Sequence, residues 1–174
     1  MTYMSIAETI KELLKDGQLH FIVPALPGLS VKRDIFVSQE VYDLVGDEAV
    51  VSPDLERVSG KARAKIDYIA SGGVFVFAMD PMNKSVTSLV ARNHNIPQGV
   101  LDVRINDPKP ELRIFGCSAG CDVLVLLTWA KRKNLKFKAE VDRCQQVWTS
   151  MFPDKQPLVG RNHEQYFSTN TIPG

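Results

Sequence analysis

The stretch KPELRIFGCSAGCDVLVLLTWAKRKNLKFKAEVDR, Lys109 to Arg143, begins with alternation, passes through a dense apolar run and ends in a burst of positive charge. Alternation from Glu111 to Cys117 and the dense, strand-sized apolar run from Asp122 to Trp129 predict two strands joined through the small turn Ser118-Ala119-Gly120. Beyond the cations the spacing becomes helical, through Val141, Cys144, Val147, Trp148 and Met151. Working backwards, the same period of two predicts strands over Val100 to Ile105, Thr87 to Arg92 and Val74 to Ala78, with a loop at Asp107-Pro108. The expected sheet is an antiparallel meander followed by a helix.

Further back the period is helical. Ile6, Ile10, Leu13 and Leu14 follow Ser5 as a cap with Glu8 three residues on, and Gly17 stops the segment. LHFIVPAL reads as a short strand closed by Pro24 and Pro27. Ile35 and Val37 suggest another strand, and Val41, Leu44 and Val45 a helix ending at Gly46. A longer helix starts at Ser52-Pro53 and stops at Gly72-Gly73, with Arg57, Lys61, Arg63 and Lys65 on its solvent side. The fold class expected is α+β: N-terminal helices packed on a twisted antiparallel sheet. Residues 1–34 form an N-terminal extension, residues 35–152 the main domain, and the proline-, glycine- and polar-rich residues 153–174 an irregular tail.

The 174 residues suit one domain with a full-sized core. With 21 Lys+Arg against 20 Asp+Glu, net charge names no partner, so any electrostatic message lies in how the charges are distributed. No apolar run approaches the roughly 18 residues of a membrane span, and the N-terminus lacks the pattern of a secretory signal. Three cysteines make a poor disulfide framework and read as free thiols of a reducing, cytoplasmic compartment.

Lys131, Arg132, Lys133, Lys136 and Lys138 put five cations within eight positions, directly after a strand that has to be buried. They emerge at the rim of the sheet beside Arg104 and Arg113, an arrangement suited to a phosphate backbone. Cutting RNA at a 2′-hydroxyl requires a proton acceptor, stabilisation of a phosphorane and a proton for the leaving 5′-oxygen. Arg and Lys serve the second need, and a lysine crowded by cations approaches the first. Cys117 and Cys121 are too few for a zinc site, and they read as opposed half-buried thiols of a hairpin; neither a metal nor a cofactor is expected. His94, in ARNHNIPQG, reads as an ordinary loop histidine. Trp129 and Trp148 read as core, while Phe137 brackets the cations and could stack on a base.

GVLDVRI, ELRIF, DVLVLLTWAKR and KNLKFKAEVDRC together resemble the C-terminal half of RelE/HigB-type toxins of bacterial toxin–antitoxin systems. The resemblance implies a ribosome-dependent mRNA endoribonuclease (an mRNA interferase) that inhibits translation and is held in check by a cognate antitoxin protein. By position it implies that Arg113 stabilises the phosphate, that Arg104 and Lys131 transfer protons or stabilise charge, and that Arg132, Lys133, Lys136 and Lys138 bind RNA. Leu112 stands where the family often has an aromatic, Phe137 replaces the proline that opens its last helix, and its catalytic tyrosine has no counterpart. These departures fit an alternative, a catalytically inactive RelE-like binding module of a phage or mobile element. A ParE-like gyrase inhibitor would share the fold.

Overall fold

The computed structural model describes residues 4–174; the first three residues of the N-terminal extension lie outside the described residues. The described residues form an α+β protein with five α-helices and one eight-stranded mixed sheet. Strands are β1 (Leu19–Phe21), β2 (Asp34–Ser38), β3 (Phe75–Ala78), β4 (Ser88–Arg92), β5 (Val100–Ile105), β6 (Leu112–Gly120), β7 (Val123–Lys131) and β8 (Thr171–Pro173). Helices are α1 (Ile6–Lys15), α2 (Gln39–Val45), α3 (Glu56–Ala70), α4 (Phe137–Met151) and α5 (His163–Tyr166). The spatial order is β1-β2-β7-β6-β5-β4-β3-β8.

The strands from β4 to β7 form the expected antiparallel meander. The sheet as a whole is not antiparallel, because β2 joins β7, β3 joins β4, and β8 joins β3 in parallel. Alternation identifies a strand but carries no information on its direction. The direction of β2 follows from its connection, since α2, α3 and four strands separate it from β7 and let it enter the sheet from the same end.

The sheet has a helical layer on each face. Ile35, Val37, Leu112, Ile114, Leu124 and Leu126 meet α2 and α3 on one side. Phe36, Phe115, Cys117, Val125 and Leu127 meet α1 and α4 on the other. This explains why β6 and β7 read as nearly continuous apolar runs: both their faces are covered.

Local signals account for several boundaries. Ser5 caps α1 in a reciprocal box with Glu8, and Gly46 ends α2. Helix α3 starts later than Ser52-Pro53 suggests, at Glu56, because Ser52 spends its hydroxyl on Asp54. Ser118 to Gly120 belong to β6; the turn is Cys121-Asp122, where Asp122 takes φ 61°. Cys117 is buried and Cys121 exposed, so they do not oppose each other; Cys117 instead meets Cys144 of α4, which pushes its thiol up.

The stretch 153–174 is not an irregular tail. It carries α5 and β8 and delivers Tyr166 and Phe167 to the core, where both pack edge-on against Phe77. Those two aromatics sit among loop-forming residues, and this hides their burial from a composition-based reading. Among the described residues, no helix is long and apolar enough to cross a membrane.

Candidate functional site

The site grows from the alternation in β5. Leu101, Val103 and Ile105 face α2 and α3, which sends Asp102 and Arg104 to the side of α4. On β6, Arg113 lies directly opposite Arg104, and Phe115 opposite Asp102. Helix α4 covers β6 and β7 but leaves the polar side of β5 open at its own N-terminal end. There lies a cavity of about 550 Å³, whose lining includes Lys84, Arg104, Arg113, Arg132 and Lys138 with only two carboxylates, Asp102 and Asp142. An excess of fixed cations in a concave site favours anionic ligands.

Asp102 organises the floor. It is 1% exposed, lies 3.6 Å from Arg113 Nε and 3.7 Å from Lys84 Nζ, and accepts a hydrogen bond from Asn93 Nδ2 at 2.9 Å. Its Oδ2 has no hydrogen-bond partner, although Arg113 faces it across the ion pair. Arg113 is 3% exposed, donates from Nη1 to the Leu112 carbonyl at 2.9 Å and faces Glu111 at 3.7 Å. Arg104 donates to the Ser85 carbonyl at 2.6 Å, which ties the loop carrying Lys84 to β5.

Burial pushes the Asp102 carboxyl up, opposed by Lys84 and Arg113. It also pushes the Lys84 amine down; Asp102 works against that shift, whereas Arg104 and Arg113 reinforce it. A lysine held this way gives up its proton more readily than one in water. Phe137 forms the apolar wall: it packs on Phe115 with ring centroids 6.2 Å apart, with Arg132 over it at 5.1 Å and Lys84 Nζ at 5.6 Å.

Of the residues singled out in the sequence, Arg104, Arg113, Arg132 and Lys138 come together here. Lys138 is also paired with Asp142 at 2.9 Å. Lys131 does not join them. Alternation along β7 turns it to the opposite face with Trp129, where it pairs with Asp54 at 3.0 Å. Lys133 lines a neighbouring cavity of about 790 Å³ together with Lys109 and Arg132. Lys136 is exposed at the N-cap of α4, outside the cavity lining. His94, read as an ordinary loop residue, lies on the cavity rim.

Sequence reasoning missed Lys84 and Asn93. Neither carries a local signal, since Lys84 sits in a loop and Asn93 follows directly after β4. The only hint was the charged alternation of LDVRI beside ELRIF, which marks one face of two adjacent strands as polar. Among the described residues, no group of three or more His, Cys, Asp or Glu side chains is arranged to hold a metal ion.

The fold and cavity define an α+β protein with a cation-rich cavity between β5, β6 and the N-terminal end of α4. No family model matches the chain, and no curated protein or solved structure matches it significantly.

Proposed function

We propose that this chain is a RelE/HigB-like, metal-free endoribonuclease that cleaves mRNA engaged on the ribosome and so inhibits translation. The observation that carries the reading is the convergence of Arg104, Arg113, Arg132 and the half-buried Lys84 on one cavity. The run of elements from β2 through α2, α3 and the meander to α4 also supports it, with helices preceding a meander as the resemblance implies.

In this reading neutral Lys84 accepts the proton of the 2′-hydroxyl, the 2′-oxygen attacks phosphorus, and the bond to the 5′-oxygen breaks. Arg113, Arg104 and Arg132 stabilise the charge that accumulates on the phosphoryl oxygens, a term often worth several kcal/mol. The leaving 5′-oxygen takes its proton from solvent at the cavity rim, where His94 lies. Lys84 takes the part that position along the chain suggested for Lys131. The chain then works in the cytoplasm, with mRNA and the ribosome as partners and an antitoxin protein covering the cationic face.

One observation favours a second reading, a binding module that does not cut: Arg113 is almost wholly enclosed and already faces Asp102 and Glu111. Purified protein added to a cell-free translation reaction separates the two. Cleavage predicts new message ends within translated codons, mapped by primer extension, that depend on ribosomes and vanish with Arg113→Ala and with Lys84→Ala. Intact message and normal translation from folded protein would overturn the nuclease reading in favour of the binding module.

A further inference from the structure

The cavity around Arg113 does not stand alone. Arg132 also lines the cavity of Lys109 and Lys133. On the other flank, Arg104 also lines a cavity of about 460 Å³ where Lys61 and Lys65 of α3 stand against one carboxylate, Asp107. The two shared arginines link three cavities in the order Lys133, Arg113, Lys61.

The α3 flank has a second component. Lys61 and Lys65 also line a groove of about 470 Å³ with Tyr68. The Tyr68 ring lies on the backbone of Gly73, where an added Cβ would come within 2.4 Å of Tyr68 Cζ. Its hydroxyl donates to the Val74 carbonyl at 2.7 Å, yet the residue remains 47% exposed. A fixed aromatic face with two lysines beside it matches what a single strand presents, a flat base and a phosphate. Burial lowers the affinity of the Lys65 amine for its proton, and neighbouring Lys61 lowers it further, a repulsion that a bound anion would relieve.

We propose that a single-stranded RNA seated in the Arg113 cavity continues past Arg104 onto α3, where Lys61 and Lys65 hold a phosphate and the Tyr68 ring stacks a base. This subsite rests on the RNA reading above and deepens it, because it makes the substrate an extended strand rather than an isolated phosphodiester. The flank lies on α3, well apart in sequence from the cluster at 131–138, and the approach of the two is a product of the fold.

The test measures binding of fluorescent 2′-O-methyl RNA, which offers no 2′-hydroxyl to react, at several salt concentrations. Two lengths are used, about three and about twelve nucleotides, near the lower and upper parts of the usual range of single-strand site sizes. With Lys61→Gln combined with Lys65→Gln, affinity for the longer RNA should fall about tenfold and the salt slope should lose about 0.7 per phosphate released, while the shorter RNA binds as before. Lys61→Glu alone, at an exposed position, repeats the comparison with little risk to folding. Wild-type binding with no change in either variant would overturn the α3 subsite and leave the RNA reading standing. No wild-type binding at either length would overturn both.

Discussion

Lys84 and Lys131 carry the same side chain and differ in everything that controls its chemistry. Lys131 is 48% exposed and bound to an exposed Asp54, an arrangement that water screens and that adds little to stability. On the nuclease proposal, Lys131→Ala is therefore expected to leave message cleavage and the urea midpoint nearly unchanged; a large loss of cleavage would return Lys131 to the proposed reaction. Lys84 is 18% exposed and crowded by Arg104 and Arg113, so its proton affinity lies below the ordinary lysine value of about 10.4. An amine acting as base works when neutral, so in the proposed reaction the cleavage rate should rise with pH until Lys84 is deprotonated. Lys84→Ala should remove that rising limb and cost about 10²–10⁴ in rate. Because Asp102 raises the proton affinity of Lys84, Asp102→Asn should move the limb to lower pH. A pH–rate profile of the three proteins checks this, and a limb unchanged in the Lys84 variant would exclude Lys84 as the base.

At the level of elements, the β6–β7 pair holds the site in register, and its tightest point is Gly116. A Cβ there would stand 2.2 Å from the Val125 carbonyl oxygen and 2.8 Å from Leu126 Cα, both backbone atoms that cannot swing aside. The register shifts at this point, between Phe115 and Gly116, and that shift sets how Arg113 faces Ala130 on the same pair. Gly116→Ala should destabilise the protein by about 1–3 kcal/mol in urea unfolding. A wild-type unfolding midpoint would show that the strands can separate locally at no cost. Alternation in LDVRI and ELRIF made the polar face of β5 and β6 legible in the sequence, and with it Arg104 and Arg113. The loop holding Lys84 was not legible, since no periodicity governs a segment fixed by Arg104 donating to Ser85 and by Lys84 donating to Asn93.

For the whole molecule, Arg33 ties the C-terminal segment to the body. It is 2% exposed and donates to the carbonyls of Ile69 at 2.9 Å, Gly73 at 3.1 Å and Thr169 at 2.7 Å, beneath the rings of Phe75 and Phe167. Arg33→Met removes the donor that these carbonyls share. It should cost about 3–5 kcal/mol, the range for breaking a buried charged network, and speed amide exchange in residues 166–173. Unchanged exchange there would mean that Tyr166 and Phe167 anchor the segment without Arg33.

The sequence by itself determined the strands and helices whose side chains repeat at a fixed period, the cap of α1, and the placing of cations at the end of β7, because those depend on neighbours along the chain. Only the tertiary structure decided that the sheet is mixed, that residues 153–174 finish the core, and that Lys84 rather than Lys131 shares a cavity with Arg113. Each of these depends on which distant segments pack together, and burial, which sets both stability and proton affinity, is a property of that packing and not of any single stretch of chain.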